Sequence, residues 1–434
     1  MRTTIYLSSI LGLAAAGLFA QAPATVHLTL QDAEGLALKN HPLVQAAQDV
    51  TFAANQHIRE VRAGYYPEFG FDATSSEGNP QARIGAGFLS ASRLFDRFGT
   101  GFSLNQLITD SGRTPNLVAE SRFRATAAQQ DYQATNYDVL LAVNQDYYGT
   151  LRAQALVRVA QQTVDARQLL VNQVTALAQN NLRSQLDVSF AQVNLAEARL
   201  LLIRAQDQVK RSYAELSRAI GSQQSAMYEL VEQPLPPSPA PDPEPLVTQA
   251  IANRPELASL RSTVQAAGSF ERAEKDLSYP TVSLLGVGGY MPYVNQITLP
   301  RTIPGEYEGV AVNVTFPIFN GHLFAARREE AHYRALESDQ RLRDLQQKIA
   351  RDVRAAWTSA VTAYQGLDVS AQFLREATLA ENLAQGRYDL GLASIVELTQ
   401  AQLNQTNAEI ENLSAKYDYQ TQYASLQYAI GALR

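Results

Sequence analysis

The sequence has no cysteine among its 434 residues, and this absence excludes several kinds of site. Without a thiol the chain forms no disulfide, no cysteine-ligated zinc site, no iron–sulfur cluster and no lipid anchor on cysteine. Charge is also sparse: charged residues make up 18%, the formal net charge is −6, and no long run of lysine or arginine occurs. Such a chain offers no basic field for a nucleic-acid partner, and its 46% hydrophobic content argues against disorder.

Catalytic and metal-binding patterns are missing as well. The five histidines show neither an i, i+4 pair nor another metal-ligand spacing. The glycines within 286–289 are not followed by the Lys-Ser/Thr of a phosphate loop, and no G-x-S-x-G joins a predicted strand to a helix. The sequence therefore predicts no enzymatic activity, no cofactor and no metal ion.

A long apolar run is absent after the N-terminus. Arg2 precedes a short apolar stretch that ends in small residues near Ala20 to Ala24, the pattern of a secretory signal peptide. We predict a signal peptide over residues 1–24, and an uncleaved helical anchor is the alternative. Beyond it no stretch of about 18 apolar residues occurs, so membrane insertion of the remaining chain requires a β-barrel.

What the sequence does contain is an internal repeat. Asn40-His41-Pro42 recurs as Asn253-Arg254-Pro255, and Ala219-Ile220-Gly221 recurs as Ala429-Ile430-Gly431. The offset is 213 residues near the start of each copy (253 − 40) and 210 near its end (429 − 219). An offset held over so long a stretch predicts two copies of one architecture.

The repeat divides the mature chain into three parts. The first copy covers residues 25–221 and the second covers residues 247–434. Between them, residues 222–246 are rich in proline and predict a stiff, extended linker.

Each copy contains two short segments in which apolar and polar residues alternate. The four predicted strands lie at about 67–77, 99–108, 281–290 and 307–317. Alternation places apolar side chains on one face and polar ones on the other, as strands of a transmembrane barrel require. The residues predicted to face lipid are Phe69, Phe71, Val310, Val312 and Val314. A half-buried sheet of a soluble protein explains the same alternation and is the alternative.

Long stretches with almost no proline or glycine predict coiled-coil helices at about 113–180 and 322–390. At 1.5 Å per residue each helix is roughly 100 Å long. Shorter helices are predicted before the strands and after each long helix, at 31–64, 184–221, 247–278 and 394–431. Each copy thus predicts one full-length rod and a second rod of two stacked pieces.

Two phrases complete the pattern: Phe316-Pro317-Ile318-Phe319-Asn320-Gly321, and a turn from Gly391 to Glu397 that reads Gly-Leu-Ala-Ser-Ile-Val-Glu. With the duplication they make residues 25–434 resemble the TolC-like outer-membrane efflux proteins. The resemblance implies a mainly α fold with a transmembrane β-barrel. In it, a homotrimer forms a twelve-stranded barrel in outer-membrane lipid, above a periplasmic coiled-coil tunnel.

The resemblance also implies a function and partners. The expected protein lies in the outer membrane of a Gram-negative-type bacterium, with a large periplasmic portion. It conducts substrates passively from an inner-membrane pump, through a periplasmic adaptor protein, out of the cell. Four strands alone leave unpaired edges in lipid, which cost several kcal/mol per unpaired group, so association of subunits is required.

The tips of the predicted tunnel are the helix–helix turns at about 180–187 and 390–397. By resemblance they contact the adaptor through Asn181, Leu182, Arg183, Ser184, Gly391, Leu392, Ala393 and Ser394. Asn181 stands where the second copy has glycine, and asparagine also tolerates the left-handed conformation of a helix end. Capping of the returning helices is the alternative role for Ser184 and Asp187.

The resemblance also assigns an entrance gate to these turns. Glu397 stands where relatives place an acidic ring, and Gln400 takes the position of a second acid. Tyr388 matches a tyrosine that hydrogen-bonds to an acid at the position of Asp187. A basic residue expected near 393 is replaced by Ala393, so part of the gate is missing. Packing on the helix surface is the alternative role for Tyr388.

Two other classes of protein compete with the channel. A secreted periplasmic coiled-coil protein with a structural or interaction role shares the helices and the linker. It has no reason to repeat paired, alternating strands at the same place in both copies. An enzyme requires a polar catalytic constellation, which the sequence lacks.

Overall fold

The computed structural model describes residues 27–78, 96–222, 228–294 and 305–433. The predicted signal peptide lies outside these residues. In the first half the elements are β1 (His27–Leu28), α1 (Leu30–Asn40), α2 (Pro42–Arg62), β2 (Glu68–Ser76), β3 (Arg97–Thr109), α3 (Arg113–Gln179) and α4 (Gln185–Ala219). In the second half they are β4 (Glu229–Leu230), α5 (Glu244–Asn253), α6 (Pro255–Asp276), β5 (Thr281–Val294), β6 (Glu306–Thr315), α7 (Leu323–Asp389) and α8 (Ile395–Ala429).

The helices form one layer of rods below the sheet. α3 and α7 have 67 residues each, which corresponds to roughly 100 Å at 1.5 Å per residue. Near the sheet α3 packs against α2 and α6, and farther away it packs against α4 and α8. α7 packs against α6 and then α8 in the same way. The two 35-residue helices therefore continue the lines of the shorter helices above them.

Each helix before the strands is divided, which corrects the prediction of single helices over 31–64 and 247–278. α1 ends before Pro42 begins α2, and α5 ends before Pro255 begins α6. His41 and Arg254 have extended backbone angles, with ψ of 126° and 124°. The cause is proline, which disfavours the α conformation in the residue before it.

The two repeated motifs meet at these divisions. Gly221 has a φ of +73°, and a Cβ added to it would lie 2.7 Å from the carbonyl carbon of Asn40. Gly431, at φ +69°, lies in the same way against Asn253 and Arg254. The end of each returning helix therefore fits under the break above it, and glycine is needed for both the backbone angle and the close approach.

The linker lies against the helices, and its backbone carbonyls accept hydrogen bonds from them. Trp357 Nε1 donates to the Ala240 carbonyl at 2.7 Å, and the Tyr419 hydroxyl donates to that of Pro237. The Tyr147 hydroxyl is fully buried and lies 2.7 Å from the Val231 carbonyl. β4 also pairs in parallel with β1. Residues 228–243 thus have no helix and are held to both halves, whereas the predicted end of the linker at 246 is wrong because α5 begins at Glu244. Residues 223–227 of the predicted linker lie outside the described residues.

The strands form a four-stranded sheet in the order β2-β3-β5-β6, with every neighbouring pair antiparallel. β5 is the longest of these strands at 14 residues, although its glycines predicted a weak strand. β6 ends at Thr315, because Pro317 has no N–H to continue the ladder. Within the described residues β2 and β6 each have one edge without a partner strand.

Candidate functional site

One face of the sheet is mostly apolar, although Glu306 and Glu308 at the start of β6 also lie on it. Its register places Phe71 opposite Phe102, and Val312 opposite Leu284. All five residues predicted to face lipid lie on this face, and all are exposed, with exposed fractions from 59% to 79%: Phe69, Phe71, Val310, Val312 and Val314. The Phe69 and Phe102 rings stack with 5.3 Å between their centroids. Contact of this face with lipid remains a prediction.

The opposite face carries polar and small residues together with aliphatic ones such as Leu285. Asp72 and Ser103 lie on it, and the serine hydroxyl donates to the aspartate carboxylate at 3.2 Å. Asn313 is near the lower end of the same face, and its amide donates to the Thr315 hydroxyl at 3.2 Å. One face is therefore suited to an apolar medium and the other to water.

The segments that connect the sheet to the helices carry exposed apolar side chains, which were not among the predicted site residues. Ile318 is 94% exposed and Phe319 is 80% exposed, and Tyr66, two residues before β2 begins, is 70% exposed. The two aromatic residues could have been found from the sequence, because aromatic residues flank the strands of membrane barrels.

The first tip joins α3 to α4. Asn181 has a φ of +58°, as its substitution for glycine predicted, and Leu182 N–H donates to the Leu177 carbonyl. Ser184 caps α4: its hydroxyl accepts from the Asp187 N–H at 3.2 Å, and the Asp187 carboxylate accepts from the Ser184 N–H at 3.1 Å. This reciprocal pair is a capping box.

The second tip joins α7 to α8, and its acidic residue, Glu397, does not complete a capping box as Asp187 does in the first tip. Gly391 has a φ of +75°, and the Ser394 hydroxyl accepts from the Glu397 N–H at 3.2 Å. The Glu397 carboxylate instead pairs with Arg387, with 3.1 Å between Nη1 and Oε1. The amide of Gln400 donates to Asn404 on the same helix at 3.0 Å. The Glu397 carboxylate, predicted to contribute to an acidic ring, therefore has a positive charge beside it.

A hydrophobic cluster joins the two tips. Its buried members are Leu170, Val174, Val188, Ala384, Tyr388, Ala393, Ile395 and Leu398, from all four helices and the second turn. Ala393 was predicted to contact the adaptor, but it is only 8% exposed. The tight turn after Gly391 directs its methyl group into the cluster, so this part of the prediction is corrected.

Tyr388 does not form the predicted hydrogen bond to Asp187. Its hydroxyl is buried and has no hydrogen-bond partner among the described residues, while the Asp187 carboxylate accepts a hydrogen bond in the capping box. Burial raises the pKa of Tyr388, an effect that the nearby charge of Arg183 opposes. The tyrosine acts in this structure as a packed residue of the tip cluster.

Arg183 makes the contact between the tips that Tyr388 and Asp187 do not. Its Nη2 donates to the Tyr388 carbonyl at 2.7 Å, and its guanidinium lies 4.2 Å from the centre of the tyrosine ring. The carbonyl belongs to the last turn of α7, where the helix dipole favours a cation. Arg183 was predicted as an adaptor contact; much of its hydrogen-bonding capacity is instead directed at the other tip.

Large apolar side chains are exposed around the two turns. The predicted pair Leu182 and Leu392 are 68% and 67% exposed. The prediction omitted three further exposed residues, Leu186, Leu390 and Val396. An exposed apolar patch of this kind commonly marks a surface for another protein.

Among the described residues no helix is both long and apolar enough to cross a membrane. In the same residues no group of three or more histidine, aspartate or glutamate side chains is placed to hold a metal ion.

A layer of long helices below an exposed two-faced sheet defines the class of outer-membrane channel proteins. The family model described as "Outer membrane efflux protein" matches residues 35–222 and 246–432. The chain therefore belongs to this family. The match favours an outer-membrane protein of efflux or secretion over a secreted coiled-coil protein.

Similar proteins agree with this assignment. The alkaline protease secretion protein AprF of Pseudomonas aeruginosa is 26% identical over 427 residues, covering 94% of this chain and 85% of that protein. The outer membrane protein TolC of Vibrio cholerae is 25% identical over 383 residues, covering 84% and 85%. Among solved structures, VceC from Vibrio cholerae has a TM-score of 0.79 at 17% identity, over 93% of this chain and 96% of that one. A membrane protein of Pseudomonas aeruginosa has a TM-score of 0.81 at 20% identity, over 93% of both chains.

Proposed function

We propose that this protein is the outer-membrane exit duct of a trans-envelope efflux or secretion system. Three copies assemble into a channel that conducts substrates passively, without catalysis. An inner-membrane pump delivers the substrates, and a periplasmic adaptor couples the pump to the channel. The observation that carries this proposal is the four-stranded sheet, which has an exposed apolar face and, within the described parts of the chain, two edges without a partner strand.

The unpaired edges support closure of the sheet by other copies. Since each neighbouring pair is antiparallel, the two edge strands β2 and β6 run in opposite directions. The β6 edge of one copy therefore suits the β2 edge of the next as an antiparallel partner. Four strands from each of three copies give a closed barrel of twelve, in which no backbone group is left unpaired in lipid.

The helical layer also supports association of copies. Its two outer rods carry large exposed apolar side chains. On α2 and α4 these include Leu43, Val50, Phe52, Val193 and Ile203, and on α7 they include Val369, Phe373, Leu379 and Leu383. Burial of apolar area contributes about 25 cal/mol per Å², so packing of α7 on the next copy stabilises the tunnel.

The tips form the end to which the adaptor binds. Their exposed Leu182, Leu186, Leu390, Leu392 and Val396 suit the apolar side of a helical hairpin. Ser184 and Ser394 are also exposed, although their hydroxyls cap helices. The adaptor thus contacts the leucines, while the serines maintain the turns that present them.

The entrance is narrowed by the same two turns. The cluster around Tyr388 and the bond from Arg183 to its carbonyl hold the tips of one copy together. Three Glu397 carboxylates give the opening a preference for cations, and the positive charge of Arg387 beside each of them reduces that preference. The neutral Gln400 adds polar lining one helical turn deeper.

The experiment that tests this function places one charge on each face of β6. We expect Val312→Arg to prevent insertion, because arginine on a lipid face costs roughly 2–4 kcal/mol at the bilayer midplane. Asn313→Arg is the matched control, since the adjacent residue points to the opposite, polar face. The measurement is the amount of trimer in detergent extracts of outer membranes.

The two variants separate the possible outcomes. Loss of trimer in Val312→Arg alone supports a barrel with this facing. Equal assembly of both variants contradicts it, and recovery of the unmodified protein as a soluble periplasmic monomer contradicts the channel itself.

A further inference from the structure

One strand residue is buried although the sheet is a single layer. Among the described residues of β2, β3, β5 and β6, only Gly101 is buried, and because it has no side chain a neighbouring residue must cover its backbone. The register aligns it with Asp72 on one side and Gly289 on the other, and Gly289 is aligned with Tyr307. These four residues form one row across the polar face.

Tyr307 covers the two glycines of this row. Its side chain begins on β6, crosses β5 and brings its hydroxyl 3.4 Å from the Thr100 carbonyl on β3. A Cβ added to Gly101 or to Gly289 would lie within 3.0 Å of the Tyr307 hydroxyl oxygen, closer than real Cβ atoms approach. The ring can therefore lie flat on the sheet because both positions lack a side chain. At Gly289 the backbone also requires glycine, since the added Cβ would lie 2.3 Å from the Thr100 carbonyl oxygen.

The adjacent glycine shows that this recess is specific to one face. Gly288 points to the apolar side, and the nearest atom to a Cβ added there is 3.9 Å away. A flexible strand would explain glycine equally at 288 and 289. The recess explains the difference: the Tyr307 ring covers Gly101 and Gly289 on its own face and leaves Gly288 on the other face open.

We infer that Gly101 and Gly289 form a recess that holds Tyr307 flat against the wall of the passage, and that this recess sets the width of cargo leaving the barrel. The inference rests on the proposed function, in which the polar face lines the passage. With the recess filled, the ring must turn away from the sheet into the passage. Three copies then place three tyrosines around one opening, and wide cargo is excluded before narrow cargo.

The test uses the absence of cysteine from the natural chain. A single Asn313→Cys on the polar face, six residues after Tyr307 and nearer the helices, reports on reagents that have passed the row. Whole cells are treated from outside with maleimides attached to poly(ethylene glycol) of increasing size, and labelled trimer is measured. This readout depends on the barrel and is insensitive to the width of the distant tips.

Gly101→Ala is the main variant, because the atoms that obstruct its Cβ most are at the free end of Tyr307. We expect it to lose labelling by the larger reagents and keep labelling by the smallest. Adding Tyr307→Ala restores the large reagents, which a general defect of the sheet does not allow. Gly288→Ala is the control and keeps the natural size limit.

Each outcome decides the inference. An unchanged size limit in Gly101→Ala overturns it, as does a lowered limit that Tyr307→Ala fails to restore. If Gly101→Ala does not assemble, Tyr307→Ala in the natural background decides: an unchanged limit supports a flat ring, and a much larger limit overturns it. Failure of the smallest reagent to label Asn313→Cys in the natural background instead contradicts the barrel, and with it the proposed function.

Discussion

Removal of the Arg183 side chain tests how the two tips of one copy are held together. A hydrogen bond from a charged donor contributes about 1.5–3 kcal/mol, and a cation over an exposed aromatic ring about 0.5–1 kcal/mol. Arg183 is partly exposed, so the lower ends apply, and Arg183→Ala loses about 2 kcal/mol between the tips. That free energy corresponds to a roughly 30-fold shift toward separated tips in each copy.

The assay is single-channel conductance in planar bilayers. We expect Arg183→Ala to raise the conductance or the frequency of wide openings. Arg183→Lys is expected to have a conductance between those of the unmodified protein and Arg183→Ala. The lysine ammonium keeps the charge near the end of α7 but lacks the planar group that stacks on the tyrosine ring. The control is Arg199→Ala, which removes a 2.9 Å bond to Gln168 within the α3–α4 pair and leaves the link between tips intact.

Only trimers of normal thermal stability are compared, so that unfolding is not mistaken for opening. An Arg183→Ala channel with the conductance and openings of the unmodified protein refutes the reasoning. So does an equal rise in Arg199→Ala, since the effect would then not depend on contact between the tips.

Three further predictions concern charge, backbone and pH. Glu397→Gln should weaken the cation preference measured by reversal potential, while Arg387→Gln should strengthen it; shifts of the same sign would contradict the pairing of these residues. Gly221→Ala should destabilise the protein by about 1–3 kcal/mol through strain at positive φ, whereas Gly149→Ala, with open space around its Cβ in α3, should not; equal unfolding temperatures would refute this. Burial raises the pKa of Asp146 to about 6, so the folded protein binds this proton more tightly than the unfolded chain does. The free energy of unfolding should therefore fall as the pH rises from about 4 to 6. Asp146→Asn should lessen that fall, measured by thermal unfolding across this pH range.

The sheet was accessible from sequence because its signal is local and periodic. Alternation in steps of two decides which residues share a face, so Val310, Val312 and Val314 were placed together correctly. The capping of α4 by Ser184 was equally local, since the cap and Asp187 are three residues apart. The prolines that divide the helices are also in the sequence. Apolar residues on both sides of each proline keep a helical spacing, however, so a single helix was predicted.

Contacts between the copies of the repeat were not accessible in this way. Arg183 and Tyr388 are 205 residues apart, and nothing near either residue indicates the other. The pairing of Glu397 with Arg387 was missed for another reason: the capping pattern and the ion pair compete for the same carboxylate, and only packing decides between them. The recess below Tyr307 depends on the register of three strands, which a single strand does not specify.

The attachment of the linker has a consequence for how the sequence of this protein can change. The groups that hold it are side chains of the helices, such as those of Tyr147, Trp357 and Tyr419, and the groups they bind are linker carbonyls. Every residue type supplies a carbonyl, proline included, so substitutions in the linker leave these hydrogen bonds intact if the chain stays extended. Glu232 is the exception, because its carboxylate pairs with Lys416 and accepts a hydrogen bond from the Tyr417 hydroxyl. Mutational tolerance should therefore be one-sided: broad along residues 228–243 except at Glu232 and the buried Leu230, and narrow at the three aromatic donors that bind the linker.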